Sequence, residues 1–490
     1  MANLIVVNNP KDWTFQVPGV ELVSARAYLT EDVYSSMRQA RVFNLCKSYR
    51  YQSIGYYVSL LAAARGHKPL PNISTIQDLK SQTLMRSVDE DLDELIQKSL
   101  KPILSETFTL SIYFGKNMAK KYDRLALHLY NLFPAPLLKA DFVRNKEIWH
   151  LQDIDPVSAG EIPIEHRSFL VDVATEHFAG KGVSTIKRKA QPYDLAILWD
   201  SAEPDSPSNE KAIKRFITAG QALGFNAEII SRDDFGSLAE FDALFIRETT
   251  NVNHHTYRFA RRAKAEGLVV VDDPESILKC SNKVYLAELL DHYNIATPKT
   301  CILHKDNLEA VLSEIAVPCV LKQPDSAFSQ GVLRVDTNEQ FMTEATRLLV
   351  KSDLVVVQEY MPTEFDWRVG IFDGKPLFVC KYFMARNHWQ VIKRDIAGKK
   401  SEGRFETLPV ELAPRQVVRT ALKAAELIGD GLYGVDIKQI GKACYVMEVN
   451  DNPNVDAGIE DLIVKSALYE KIMEVFLKRI ISKNGAGLYY

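Results

Sequence analysis

The sequence predicts an α/β protein of several domains: an N-terminal α+β domain, then a parallel α/β domain, then a module that closes on an antiparallel sheet. Three observations predict it. The chain has 490 residues, more than one ordinary core accommodates. Short apolar runs alternate with helical segments over residues 193–275, the pattern of parallel strands with helical crossovers. Two strand-like runs flank Ile440-Gly441-Lys442-Ala443, the pattern of a hairpin.

In the N-terminal region, LIVVNN, ARAYL and TFTLSIYF read as strands, and QSIGYYVSLLAAARG has helical spacing closed by Gly66. LLKADFVRNKEIWHLQDI reads as a hairpin around Arg144-Asn145-Lys146-Glu147, and HRSFLVDVATEHFAG as a helix ending at Gly180. The basic KGVSTIKRKAQP, ending at Pro192, is the expected linker, so the domains are set at 1–180, linker 181–192, 193–275 and 276–480. DLAILWD, AEIIS, DALFIRE and LVVVDD are the parallel strands, with NEKAIKRFITAGQALG as a crossover helix. SAEPDSPSN is the expected long loop, a candidate substrate loop. Further on, SNKVYLAELLDHYN and the terminal IEDLIVKSALYEKIMEVFLKRIIS read as helices.

Composition narrows the function. The chain is 46% hydrophobic and 25% charged, and 60 basic against 63 acidic side chains leave a net charge of -3, so neither nucleic acid nor a membrane is an expected partner. Six cysteines (Cys46, Cys280, Cys301, Cys319, Cys380, Cys444) lack any C-x-x-C pair, which fits a reducing compartment, and a cytoplasmic protein is expected. The start, MANLIVVNNPKDW, reads as a first strand, and no apolar stretch reaches the roughly 20 residues of a spanning helix.

The chemistry concentrates in GLYGVDIKQIGKACYVMEVNDNPN. A hairpin centred on Gly441-Lys442 sets Asp436 opposite Glu448, and Glu448 and Asn450, two apart on one strand, point to the same side. Two carboxylates and an amide oxygen suit a hard magnesium ion shared with phosphate oxygens. Each acid taken alone reads as a surface strand end; three in register point to a metal and nucleotide site. No G-x-x-x-x-G-K-[ST] or well-placed G-x-G-x-x-G offers another phosphate cradle.

With G-V-D ahead of it, M-E-V-N-x-N-P resembles the metal-binding signature of ATP-grasp ligases, especially RimK-like glutamate ligases, over about residues 190–480. The resemblance implies a pre-ATP-grasp parallel α/β domain, a lid at about 297–357 and a C-terminal antiparallel-sheet subdomain. It implies ATP with Mg2+, Mn2+ being the alternative ion, and metal ligands Asp436, Glu448 and Asn450. CSNKVYLAELLDHYNIATPKT is similar to the segment whose lysine opens a helix, here Lys283. PCVLKQPDSAFSQGV is similar to the lid strand with its lysine, Lys322, and its phosphate-covering loop. In VVVQEYMP the resemblance sets Gln358, with backbone groups of Glu359 and Tyr360, at the adenine, and Asp366 near the nucleotide. Arg368 and Arg386 occupy positions of charges around the phosphates and the acyl group. Two departures stand out: the loop after Lys322 carries only Gly331, and Arg386-Asn387-His388-Trp389-Gln390 differs from the usual pattern, which bears on the acceptor.

VFNLCKSYRYQSIGYYVSLLAAARGHKPLP resembles the accessory domain that precedes some RimK-like modules. Its Tyr49, Arg50, Tyr51, Gln52, Tyr56 and Tyr57 read either as a cluster recognising a peptide or amino acid, or as an inner helical face of Tyr56 and Leu60 with a rim. Arg247 and Asn251, at the carboxyl end of a parallel strand where α/β sheets bind ligands, are candidate substrate residues together with Asn452; His254 or His255 would assist. The implied reaction joins a carboxylate to an amine through an acyl phosphate, on an amino acid or peptide. A protein acceptor, and an ATP-binding interaction protein without turnover, are the alternatives, and a homo-oligomer is left open.

Overall fold

The chain divides into two units, residues 1–192 with 233–240, and residues 193–232 with 241–490. The computed structural model describes residues 2–37, 40–179, 193–325, 331–386, 388–394 and 400–486. The expected linker 181–192, Gly180 and positions 326–330 of the expected phosphate-covering loop lie outside the described residues.

In the first unit, β1 (Ala2–Val7), β2 (Val20–Ser24), β3 (Ala40–Asn44) and β4 (Lys68–Leu70) form a parallel sheet in the order β2-β1-β3-β4. The unbroken LIVV run of β1 follows from burial on both faces. Leu4 and Val6 pack with Tyr28, Val58 and Ala62, while Ile5 and Val7 pack with Trp13, Phe43 and Leu170. ARAYL is a helix, Ala25–Thr30, rather than the expected strand, because Ser24 Oγ caps it through Ala27 N–H at 3.1 Å and Tyr28 buries fully on its inner side. Helix Ile54–Ala64 buries Gly55, Val58, Ser59 and Ala62. Tyr56 and Leu60 are therefore not its inner face: a Cβ at Gly55 would lie 2.4 Å from Ser48 O, so the contact face takes only small or slim side chains. Tyr51 and Tyr57 are exposed, and Tyr49 is buried with its hydroxyl donating to Asn44 O. A second sheet, β5 (Thr107–Tyr113), β6 (Leu137–Asn145) and β7 (Ile148–Pro156), is antiparallel. Lys146 and Glu147 turn its hairpin with φ of 48° and 73°.

The second unit opens with β8 (Tyr193–Leu198), β9 (Phe225–Ile230), β10 (Ala243–Ile246) and β11 (Val269–Val271), parallel in the order β11-β10-β8-β9. The crossover helix Glu210–Ala222 starts at Asn209, whose Oδ1 accepts from Ala212 N–H at 3.0 Å. The C-terminal helix Ser466–Ala486 packs on it, with Phe216 and Tyr469 edge to face at 4.8 Å. That helix begins later than the sequence suggests. Ile459–Lys465 stay as turns because the buried Glu460 and Asp461 carboxylates accept from the backbone of Asp456 and Gly458, at 2.6 and 2.7 Å.

Two antiparallel sheets follow. The first is β12 (Thr300–Leu303), β13 (Cys319–Lys322), β14 (Val332–Val335) and β15 (Val355–Glu359), in the order β12-β15-β13-β14. The second has five strands, β16 (Phe365–Phe372), β17 (Lys375–Phe383), β20 (Phe405–Leu408), β21 (Tyr433–Ile440) and β22 (Ala443–Asp451), in the order β20-β17-β16-β21-β22. A small pair, β18 (Ile392–Arg394) and β19 (Lys400–Glu402), lies between β17 and β20 in sequence. No helix among the described residues is long and apolar enough to cross a membrane.

Candidate active site

Alternation along three neighbouring strands sorts the five-stranded sheet into two chemistries. Trp367, Val369, Ile371, Val435, Ile437, Val446 and Val449 bury in one core with Val417, Ala421 and Ala424 of helix Arg415–Ile428. On the opposite face the register aligns Arg368 of β16 with Asp436 of β21, and Asp436 with Glu448 of β22. The β21–β22 turn carries Gly441 at φ 60° and sets paired numbers that sum to 883 as far as Ile437↔Val446; a register shift between Ile437 and Asp436 then brings the expected Asp436–Glu448 pairing.

A row of alternating charge results. Arg368 donates to both oxygens of Asp436, at 2.5 and 2.6 Å, and Asn450 Nδ2 reaches Asp436 Oδ2 at 3.3 Å. Lys283 Nζ lies 3.0 Å from Glu448 Oε1. One step along the same face, Lys438 donates to Asp366 Oδ1 at 2.6 Å and to Thr363 Oγ1 at 2.6 Å. Gly434 leaves the space this needs: a Cβ there would stand 2.7 Å from Pro453 Cβ and 3.0 Å from Arg368 Cδ. Lys283 is the first residue of helix Lys283–His292, capped by Asn282 Oδ1 on the N–H groups of Val284 and Tyr285, each at 3.0 Å.

The four-stranded sheet supplies the facing groups. Cys319, Leu321, Val355 and Val357 bury against helices Leu308–Glu314 and Asn338–Leu349, which turns Val320, Lys322, Val356 and Gln358 to the other side. Burial there lowers the Lys322 pKa to about 8, helped by Lys283 and Lys438 and opposed by Glu448 and Asp366. Burial pushes Glu448 up, but Lys283 and Lys322 outweigh it and hold the carboxyl below its ordinary range. Gln358 Nε2 donates to Thr300 Oγ1 at 3.0 Å, while its buried Oε1 has no hydrogen-bond partner among the described residues.

Several sequence expectations need correction. Arg247 is fully buried and spends four of its five N–H donors inside the fold: it donates to Ser208 Oγ (3.0 Å), Asn452 Oδ1 (2.6 Å), Pro207 O (2.6 Å) and Pro453 O (2.8 Å). At 0% exposure the side chain ties the fold together rather than facing a substrate. Asn452 is buried too, held between Arg247 and Glu248 O, and the SAEPDSPSN loop serves as Arg247's acceptor through Pro207 and Ser208. Arg386 is exposed and makes no hydrogen bond or ion pair among the described residues, so nothing fixes it at the charged row. The N–H groups of Glu359 and Tyr360 donate to Lys299 O (2.9 Å) and Pro318 O (3.3 Å), which leaves a reading of the base edge by these two residues to their carbonyl groups. Asn251 lines a pocket with Asn282 and Asp325, and His255 pairs with Glu248 at 2.6 Å. Lys438 was not anticipated; its signal is its place two residues after Asp436 in G-V-D-I-K, which puts both on one face.

Among the described residues no three His, Cys, Asp or Glu side chains gather into a metal cluster. An ion here would rest on Asp436, Glu448 and the Asn450 amide oxygen, a hard-oxygen set short of a full shell. Such a set fits magnesium, which keeps few protein ligands and completes its shell with phosphate oxygens and water.

Residues 25–173 match the RimK-like ATP-grasp N-terminal domain. That region is a RimK-like ATP-grasp N-terminal domain. With the four-stranded and five-stranded antiparallel sheets that follow the parallel domain, the chain has the α/β architecture of an ATP-grasp protein. It is 23% identical over 284 residues to a probable alpha-L-glutamate ligase of Marinomonas sp. (strain MWYL1), covering 54% of this chain and 90% of the relative. It is 25% identical over 284 residues to the alpha-aminoadipate–LysW ligase LysX of Saccharolobus solfataricus, covering 53% and 96%. Among solved structures, the D-alanine–D-alanine ligase of Bacillus anthracis aligns over 60% of this chain and 99% of its own, at 17% identity and a TM-score of 0.46.

Proposed function

We propose that this RimK-like ATP-grasp protein is an ATP-dependent ligase that joins a carboxylate to the amine of an amino acid or peptide. The charged row Arg368–Asp436–Glu448–Lys283, faced by Lys322, carries the reading: it holds cations and carboxylates in the alternation that a polyphosphate with a divalent ion requires. The relatives named as ligases of glutamate and of alpha-aminoadipate support the reaction class.

ATP supplies a phosphoryl group to the substrate carboxylate, and the acyl phosphate gives the amine a carbon with phosphate as leaving group. Around that chemistry the chain orients and screens. Lys283 and Lys322 hold phosphate oxygens, with equatorial charge in transfer met by preorganised cations rather than reorganising water. Asp436, Glu448 and Asn450 would hold magnesium, whose contribution is charge neutralisation on the phosphates. Gln358 offers its unspent Oε1 to an amino group such as that of adenine. Burial raises the Asp436 pKa, and the Arg368 guanidinium opposes that rise while aiming the carboxylate.

The test is phosphate release by the purified chain with ATP, magnesium and a panel of amino acids and short peptides, with product mass read alongside. Amine-dependent release with an amide-mass product is expected; ATP binding with no release above background for any amine would overturn the ligase reading.

Lys322 gives a pH test. A lysine at about 8 is charged at neutral pH and loses its proton as pH rises through about 8, where an ordinary lysine at about 10.4 does not. Bound phosphate favours the charged form, so nucleotide affinity is expected to fall with pH above about 8, with proton uptake on binding. Calorimetric titration of a non-hydrolysable ATP analogue in buffers of differing ionisation enthalpy reads both, and Lys322→Met is expected to remove the uptake.

A further inference from the structure

Two pockets on the second unit meet at a shared wall. The first, about 570 Å3, is lined by Asn251, Asn253, Ser281, Asn282, Glu288 and Asp325. The second, about 420 Å3, is lined by Tyr257, Arg261, Lys264, Glu275 and Lys279. Leu278 and Tyr285 line both, and each is roughly two-fifths exposed (43% and 39%), so the pockets form one groove over helices His255–Ala265, Pro274–Ser281 and Lys283–His292. Each pocket alone falls in the ~300–1,000 Å3 range of small-ligand sites, more room than one amino acid fills.

The ends of the groove have opposite chemistry. In the first pocket Glu288 and Asp325 bring carboxylates, and Ser281 Oγ is buried without a partner among the described residues. This end accepts N–H groups. It also adjoins the charged row: Asn282 Nδ2 donates to Asp325 Oδ1 at 3.1 Å, and the next residue, Lys283, holds Glu448. The second pocket sets three cations against one carboxylate. Lys264 is paired with Glu275 at 2.5 Å, and Lys279 donates to Ile428 O at 2.7 Å. Arg261 is exposed and makes no hydrogen bond or ion pair among the described residues, which leaves a planar fork for a carboxylate.

We propose that this groove seats the amine substrate as a short acidic peptide, its amine end in the Asn282–Asp325 pocket and its carboxylates on Arg261, with the stem across Leu278 and Tyr285. The role of that peptide as acceptor rests on the ligase reading; the binding itself does not. Polarity commits the occupant: reversed, the peptide would set its carboxylates against Glu288 and Asp325 and its ammonium against Arg261 and Lys264.

The experiment is calorimetric titration of the full chain with tri-glutamate, and with tri-alanine amide as the counterpart without carboxylates, for the wild type, Arg261→Glu and Tyr285→Ala. Expected results are wild-type binding of tri-glutamate, at least tenfold weaker binding in Arg261→Glu, weaker binding in Tyr285→Ala, and unchanged affinity of both variants for a non-hydrolysable ATP analogue. Equal binding of the two peptides, or tri-glutamate binding untouched by Arg261→Glu, would overturn the groove. With an amine substrate from the panel, Arg261→Glu is expected to raise KM for acidic peptides at unchanged kcat; ligation with KM unaltered removes the groove and leaves the ligase. Tri-glutamate binding that depends on Arg261 in a protein without turnover supports the groove and removes the ligase.

Discussion

Glu448→Ala is expected to lower amine-dependent phosphate release by at least about 100-fold, since removing one preorganised electrostatic group from a reacting site costs about 10²–10³ in rate. The residue does two things at once. It compensates the ammoniums of Lys283 and Lys322, which draw its pKa down, and with Asp436 it is one of the two carboxylates of the row proposed to hold the ion. The substitution takes this carboxylate from Lys283, whose side chain is only 10% exposed, so some loss of stability is expected beside the loss of rate and thermal unfolding is read alongside. Glu448→Gln refines the measurement: it keeps the shape and one acceptor oxygen but removes the charge. If its turnover matches the wild type, the charge on this residue is not what the reaction uses.

The second large effect concerns folding rather than turnover. Arg247→Met is expected to destabilise the second unit by about 3–5 kcal/mol, the range for breaking a buried charged network by removing one partner. The guanidinium ties four groups from two distant stretches, Pro207 and Ser208 on one side and Asn452 and Pro453 on the other. It is also a counter-charge to the fully buried Asp272, whose pKa burial drives up. Arg247→Lys should not restore stability, since a single ammonium cannot replace a planar fork that reaches four acceptors. Urea unfolding followed by circular dichroism reads the difference; a loss below about 1 kcal/mol would show that this network is not a principal tie of the fold.

How much of this was legible beforehand differs by residue. The hairpin and its turn at Gly441-Lys442 could be read from spacing, and spacing places Asp436 opposite Glu448 to within one residue; the one-residue shift between Ile437 and Asp436 that completes the pairing leaves no mark in the sequence. The parallel strands were legible for a related reason: β8, β10 and β11 are buried on both faces and so stand out as unbroken apolar runs. Arg247 was not, since the position at a strand end is visible in sequence while depth is not. The same arginine that would bind a ligand at the surface becomes a tie when two loops close over it. ARAYL failed through propensity, because a five-residue segment with four apolar residues suits either element and the cap at Ser24 decides. Lys438 escaped because a lone lysine in a strand reads as a solvated side chain until its neighbour across the sheet, Asp366, is known.

The bidentate Arg368–Asp436 pair has a consequence for the order of loading. On the proposed reading, a divalent ion arriving alone would compete with a guanidinium that already satisfies both oxygens of Asp436, so free ion is expected to bind poorly. A polyphosphate offers that guanidinium another set of oxygens, and the carboxylate it gives up becomes available in the same event. Nucleotide and ion would then favour each other by one shared free energy, each raising the other's affinity by the same factor. The pair would thus act as a built-in stand-in for the proposed ion: the guanidinium already keeps Asp436 from facing Glu448 uncompensated.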